Sequence, residues 1–142
     1  LSPRPELCNG VAISSDGNWV AAHSRSNLLY LWDLRLPTNT PVVLNANAVP
    51  SGNYNLAFSP DNSTLIQACR IDSDGEIRCW DLATKSLIAR HRLPRCIGGM
   101  AVHPKSGEVV CLGQTNTLIR LAPRTLKPIG TSVARWQRHT VT

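Results

Sequence analysis

The chain has 142 residues, a usual length for one domain, and 42% of them are hydrophobic, which argues against disorder. Its net charge is +6, but the basic residues are scattered and no aromatic stacking platform accompanies them, so no direct nucleic-acid contact is expected. No apolar run approaches 18 residues and no signal-peptide pattern is present, so neither membrane association nor secretion is expected.

The first part of the chain, residues 1–48, predicts a unit of four short β-strands. The flanking runs alternate between apolar and polar residues, and no segment keeps a helical period over three turns. The stretch SSDG at 14–17 predicts a tight turn, because Asp caps such a turn and Gly takes the position that needs a positive φ. The third strand ends in Trp32-Asp33-Leu34. The predicted strands lie near 9–13, 19–23, 28–32 and 41–44.

Residues 49–94 repeat the same layout as a second unit. The stretch SPDN at 59–62 takes the place of SSDG, and the third strand again ends in Trp-Asp-Leu, at residues 80–82. The predicted strands lie near 54–58, 64–69, 76–80 and 86–91.

A third copy, residues 95–131, keeps the order of elements but has lost the signature. Leu121 stands where Trp is expected and Ala122 where Asp is expected. The step from Trp80 to Leu121 is forty-one residues, close to the 40–45 residues of a propeller-blade repeat. Strands are predicted near 97–102, 108–113, 117–121 and 127–131. Residues 132–142 are either a tail or the start of a further unit.

The three units resemble WD40 repeats over essentially residues 7–131. This resemblance implies an all-β fold, a β-propeller with about three four-stranded blades, and therefore a partial propeller. In the family, a His before the first strand joins the Asp and the Trp of a blade in a hydrogen-bond network. No Gly-His dipeptide precedes a first strand here, so that network is expected to be incomplete. The resemblance gives structural roles to Trp32, Asp33, Asp74, Trp80 and Asp81, with each Trp packed between neighbouring blades.

A propeller of three blades leaves two lateral faces without a neighbour. Closure takes about four to eight blades, and a terminal unit that lacks its neighbour exposes an apolar side. We therefore expect the remaining blades in cis, as part of a longer chain, with self-association of this chain as the alternative.

A narrower resemblance covers roughly residues 28–90. The stretches LLYLWDLRLPT, YNLAFSPD and SDGEIRCWDL are similar to consecutive blades of the Groucho / transducin-like enhancer-of-split corepressors. That family implies a nuclear propeller that binds short peptide motifs of DNA-bound transcription factors, such as Trp-Arg-Pro-Trp. The alternative is a general WD40 scaffold, nuclear or cytoplasmic, in another assembly such as ribosome biogenesis, ubiquitin ligation or trafficking.

In such a propeller the peptide lies at one mouth of the central channel. That mouth is built from loops between second and third strands and from connections between blades. By position, the candidate peptide-binding residues are Asn53, Tyr54, Arg70 and Arg95. Tyr54 aligns with a family Tyr, and the alternative for it is a ring that packs beneath the loop.

The remaining reactive side chains predict neither catalysis nor cofactor binding. Serine-hydrolase, P-loop and zinc-protease motifs are missing from the sequence, and His103-Pro104 occupies the turn position that Ser59-Pro60 has in the second unit. We expect a protein without enzymatic activity.

The cysteines number five, which is odd, and none forms a CxxC pair. Cys69, Cys79 and Cys111 lie in apolar runs, which predicts buried free thiols and an intracellular, reducing environment. The four His do not cluster at metal-ligand spacing, so no metal site is expected.

Overall fold

The structure of the chain is a computed structural model that describes residues 8–38, 40–45, 50–95, 99–113 and 117–133. The side chains of Asn53, Tyr54 and Val133 are not among the groups it describes.

The described residues form three antiparallel sheets of four strands, each in chain order. Sheet 1 contains β1 (Cys8–Ile13), β2 (Trp19–Ser24), β3 (Leu29–Asp33) and β4 (Val42–Leu44). Sheet 2 contains β5 (Gly52–Phe58), β6 (Thr64–Ile71), β7 (Asp74–Asp81) and β8 (Ser86–Leu93). Sheet 3 contains β9 (Met100–Val102), β10 (Val109–Leu112), β11 (Thr117–Leu121) and β12 (Pro128–Val133). The all-β fold with about three four-stranded blades is confirmed, and β12 runs past residue 131, where the third unit was expected to end.

The first turn of each unit shows why the sequence repeats there. In the second unit, the Ser59 hydroxyl donates to Asp61 (2.6 Å) and accepts from the backbone N–H of Thr64 (3.0 Å). Asn62 has φ 59, in the left-handed region that Asn tolerates better than most residues. The Ser-x-Asp-Asn sequence therefore closes the turn and starts the next strand.

The third unit closes the same turn with a histidine. His103 Nδ1 accepts from the backbone N–H groups of Lys105 (3.2 Å) and Ser106 (3.1 Å). Gly107 takes the left-handed position, with φ 75. His103 is thus a turn residue, as the sequence predicts.

Two hydrophobic cores lie between the sheets because alternate residues of each strand face opposite neighbours. The core between sheets 1 and 2 consists of Trp19, Ala21, Leu29, Leu31, Leu44, Leu56, Leu65, Trp80 and Leu82. The core between sheets 2 and 3 consists of Ile66, Ala68, Ile77, Cys79, Leu93, Met100, Val109, Cys111, Leu121 and Leu126. Leu121 is fully buried in the second core, so it fills in sheet 3 the position that Trp80 fills in sheet 2.

The two tryptophans of the Trp-Asp pairs occupy equivalent strand positions but different surroundings. Trp32 lies opposite Val20 on β2, as Trp80 lies opposite Leu65 on β6. Trp80 is buried between sheets 1 and 2. Trp32 is only partly buried on the face of sheet 1 that points away from sheet 2, where its ring packs against Tyr30 at 5.9 Å. Within the described residues, Trp32 therefore does not pack between two blades, unlike the expectation.

That outer face of sheet 1 is apolar and open to solvent. The register of the strands places Val11, Ile13, Tyr30, Trp32 and Val43 on it. Val11 is 73% exposed and Ile13 is 64% exposed. Among the described strands, none forms a sheet on this side, so this face has the composition of a core without a second layer.

The predicted buried thiols are confirmed. Cys69, Cys79 and Cys111 are buried thiols that form no disulfide, and burial raises the pKa of Cys69 and of Cys79 to about 11. These two thiols therefore carry little thiolate at neutral pH. Cys8 is exposed and forms no disulfide, and Cys96 lies outside the described residues.

The described residues lack both a membrane-spanning helix and a metal-binding cluster. They contain no helix of the length and apolar character that crossing a bilayer requires. They also contain no group of three or more His, Cys, Asp or Glu that could hold a metal ion.

Candidate functional site

The meander topology gives the three sheets two distinct loop edges. We call edge A the one that carries the turns after β2 and β6 and the connections that lead into β5 and β9. We call edge B the one that carries the turns after the first and third strands of each sheet, which include residues 59–63, 103–108 and 122–127. The predicted peptide-binding mouth corresponds to edge A.

Two of the four predicted peptide-binding residues have described side chains, and both lie at edge A of sheet 2. Arg70 lies near the end of β6, and its Nε donates to the Ser51 hydroxyl at 3.3 Å. Arg95 follows β8, and its backbone N–H donates to Asp74 Oδ1 at 2.9 Å. Asn53 on β5 pairs with Cys69 on β6, whereas the side chains of Asn53 and Tyr54 are not among the described groups. Edge A of sheet 2 thus presents two arginines.

Asp74 and Trp80 accept and donate hydrogen bonds at different places in sheet 2. Asp74 holds the turn at edge A through Arg95 and lies 3.8 Å from Arg92 Nη1. Trp80 instead donates its indole N–H to Gln67 Oε1 at 3.1 Å, inside the seam between sheets 1 and 2. A glutamine on the neighbouring strand therefore binds the indole, a role that the sequence did not reveal.

A buried ion pair that the sequence did not reveal lies on the same face of β7 as this tryptophan. Glu76 Oε1 accepts from Arg78 Nε at 2.6 Å, and both side chains are 2% exposed. Glu76 Oε2 also accepts from the half-exposed Arg92 at 3.3 Å. Alternation along EIRCW could have placed Glu76 and Arg78 on the Trp80 face. Removal of one partner would leave an uncompensated buried charge, so a single substitution of Glu76 or Arg78 is expected to be strongly destabilising.

His23 lies in the same seam as a buried neutral side chain. It is 2% exposed, and desolvation lowers its pKa. No described group forms a hydrogen bond with its Nδ1. A Cβ atom at Gly10 would lie 2.6 Å from His23 Nε2, so only glycine fits beside this ring.

At edge B, the Asp of the second Trp-Asp pair links two sheets. Arg124 of sheet 3 donates from Nη2 to Asp81 Oδ1 (2.8 Å) and from Nη1 to the Ser63 hydroxyl (3.3 Å). Asp81 also accepts from the backbone and the hydroxyl of Thr84. Hydrogen bonding to Arg124 is the largest cause that lowers the pKa of Asp81 to about 2. The Asp of the first pair, Asp33, binds Arg35 of its own turn instead.

Acid is expected to weaken this link. The folded pKa of Asp81 lies below its ordinary value of 3.8, so its stabilising contribution is complete above that value and is lost as pH falls towards about 2. Asp81→Asn should therefore lower the urea midpoint at pH 6 and reduce the drop in midpoint between pH 4 and pH 2. Asp72→Asn, in an exposed turn, is the matched control and should follow the parent chain. If the urea midpoint falls with pH in the same way for the parent chain and for Asp81→Asn, the ion pair does not contribute to stability as described.

A cavity of about 400 Å³ opens at edge B between sheets 2 and 3. Its lining combines three prolines, several hydroxyls and two cations: Ser59, Pro60, Asp61, Ser63, Thr64, Ile66, Pro104, Lys105, Ser106, Gly107, Pro123 and Arg124. A second cavity of about 330 Å³ adjoins it and shares Ser59, Pro60 and Pro104. Its other lining residues are Ile13, Ser15, Phe58 and Val102, so it lies at the ends of the inner strands. The sequence predicted binding residues at edge A and did not predict these cavities at edge B.

Two of the three repeats are similar to sequences of known proteins. The family model "WD domain, G-beta repeat" matches residues 5–33 and 48–81, two stretches that end at Asp33 and Asp81. The chain is also similar to WD repeat-containing protein 1 of Gallus gallus, with 25% identity over 122 residues. That alignment covers 86% of this chain and 18% of the relative, so the chain spans less than a fifth of that protein. Two stretches of the chain therefore match the WD40-repeat model, and each ends at the Asp of a Trp-Asp pair.

Proposed function

We propose that this chain, as a WD40-repeat segment, forms part of a β-propeller that binds short peptide segments of partner proteins at edge A. The observation that carries the proposal is the position of Arg70 and Arg95 on the same edge of sheet 2. Arginine is among the residues that most often dominate binding energy at protein interfaces. Connections between blades also meet at this edge, which suits a ligand that contacts more than one blade.

The finer form of the proposal is a corepressor propeller. The stretches within residues 28–90 that resemble Groucho / transducin-like enhancer-of-split proteins support it. In this form the ligands are short motifs of DNA-bound transcription factors, of the Trp-Arg-Pro-Trp type, and the protein acts in the nucleus. The propeller would recruit a corepressor through peptide contacts, without binding DNA itself.

A second candidate function is a general scaffold in another multiprotein assembly. The similarity to WD repeat-containing protein 1 favours it, because that relative is named only for its repeats. In this case the partner is a different protein, and the Trp-Arg-Pro-Trp peptide has no preferred place at edge A.

Binding of the full-length protein to a Trp-Arg-Pro-Trp peptide tests the proposal. Calorimetry should show binding of this peptide above a scrambled one. Arg70→Ala and Arg95→Ala should each weaken binding about 5- to 30-fold, since truncation of an arginine in contact with a ligand costs about 1–2 kcal/mol. Arg90→Ala, which removes an exposed arginine from the outer strand β8, is the matched control and should change the affinity less than twofold.

The outcomes separate the two candidate functions. Binding that both substitutions leave unchanged would remove edge A of sheet 2 from the site. If the scrambled peptide binds equally well, the corepressor function is wrong, and the general scaffold function is then favoured.

A further inference from the structure

We propose that the cavity at edge B between sheets 2 and 3 is a second binding site, for a short acidic peptide segment that carries an apolar side chain beside its carboxylate. The carboxylate would lie between Lys105 and Arg124, and the apolar side chain would enter the adjoining cavity. This site lies at the opposite loop edge from Arg70 and Arg95, so it does not depend on the function proposed for edge A.

The shape of the cavity is set by residues with little conformational freedom. Pro60, Pro104 and Pro123 come from three different turns, and each ring fixes its own backbone φ. Gly107 lies among them with φ 75, and a Cβ atom there would approach Pro60 and Pro123 to 3.6 Å. A side chain at this position would occupy space that glycine leaves open. The volume of about 400 Å³ falls within the range of ligand pockets, about 300–1,000 Å³.

The charges that line the cavity favour an anion. Of the five N–H groups of Arg124, one donates to Asp81 and one to Ser63, which leaves the others able to bind a carboxylate. The Lys105 ammonium is exposed and has no ion-pair partner among the described residues. The Ser106 hydroxyl accepts from the backbone of Glu108 and keeps its own proton for a ligand. Two cations and a hydroxyl donor therefore meet in one cavity.

The carboxylate of the lining, Asp61, does not cancel this preference. Its Oδ1 accepts hydrogen bonds from the Ser59 hydroxyl (2.6 Å) and from the backbone and hydroxyl of Ser63 (3.1 and 2.8 Å). The Ser59 bond is the largest cause of the lowered pKa of Asp61, so this carboxylate stays charged and bound within its own turn. Arg124 is already paired with Asp81, so the cation of the lining that has no ion-pair partner among the described residues is Lys105.

The adjoining cavity explains why the ligand is a peptide and not a free anion. Phe58 and Val102 line it together with Ile13, two serines and the shared Pro60 and Pro104, so the cationic cavity continues into one that has more apolar side chains but keeps two hydroxyls. A single inorganic anion would fill only the cationic part. Successive side chains of an extended peptide can supply a carboxylate to one part and an aliphatic group to the other, as in extended peptide recognition in general.

Fluorescence anisotropy with two labelled peptides and the full-length protein tests this site. The probes are Gly-Val-Glu-Glu-Val-Gly and the same peptide with both Glu replaced by Gln. We expect the Glu peptide to bind at least fivefold more tightly than the Gln peptide at low ionic strength, and the difference to shrink with added salt. Lys105→Glu should weaken binding of the Glu peptide about tenfold, and Lys105→Met should give a smaller loss in the same direction.

The matched control is Lys127→Glu, which makes the same charge change on an exposed residue of sheet 3 outside the cavity. It should change affinity less than twofold, and so should Arg70→Ala at edge A. Equal binding of the two peptides would overturn the proposal, and so would equal losses for Lys105→Glu and Lys127→Glu. Because the probes and variants differ from those at edge A, failure at one edge says nothing against the other.

Discussion

Replacement of Val11 and Ile13 by lysine is expected to convert the 142-residue chain, studied by itself, from a self-associating species into a monomer. Both side chains lie on the outer face of sheet 1, where they are 73% and 64% exposed beside Tyr30, Trp32 and Val43. A contiguous apolar face of this kind drives association, because burial stabilises by about 25 cal/mol per Å² of apolar surface. Sedimentation velocity over a range of concentrations measures the change.

Leu34→Lys combined with Leu36→Lys is the matched control. These leucines are 46% and 54% exposed, but they lie in the connection after β3 and not on the sheet face. The control adds the same charge, so it should leave self-association largely in place. If the control abolishes association equally, charge and not the face is responsible.

The same two lysines give an opposite result if further blades follow in cis. In a longer chain whose additional sheet covers this face, Val11→Lys with Ile13→Lys should destabilise the fold, because it would bury two unpaired charges. A lower melting temperature in the longer chain, together with better solubility of the 142-residue chain, would favour blades in cis over self-association.

The order of the strands could be predicted from the sequence because local rules fix it. Ser59-Pro60-Asp61-Asn62 contains every group that closes its own turn, including the residue with positive φ. The third unit could be recognised without its Trp-Asp pair, since Leu121 keeps the position and the apolar character. Both the turn and the third unit could therefore be predicted from residues that lie close together in the sequence.

Contacts between units could not be predicted in the same way. Alternation assigns Trp80 and Arg78 to one face of β7, but it does not identify Gln67 or Glu76 as their partners. Arg124 reaches Asp81 across 43 positions of sequence, and nothing near either residue indicates the other. The cavity at edge B depends on such contacts, which is why the sequence drew attention to edge A alone.

Trp80→Ala is expected to destabilise the chain by about 3–5 kcal/mol, the usual cost of truncating a buried aromatic side chain to alanine. The side chain is 1% exposed and packs in the core between sheets 1 and 2. Trp32→Ala is the matched control because Trp32 has the same strand position and the same following Asp. It should cost about 1–2 kcal/mol, since its ring is only partly buried and packs mainly within sheet 1.

Urea unfolding of the parent chain and of both variants, at a protein concentration where sedimentation velocity shows a monomer, measures both losses without interference from association. Trp80→Phe separates packing from hydrogen bonding, because it keeps an aromatic ring but removes the N–H that donates to Gln67. Loss of a donor to a buried acceptor costs about 1–3 kcal/mol, so this variant should lie between the parent chain and Trp80→Ala. If Trp32→Ala and Trp80→Ala lower the free energy of unfolding by the same amount, Trp32 is as well packed as Trp80. That result would contradict the different burial of the two rings.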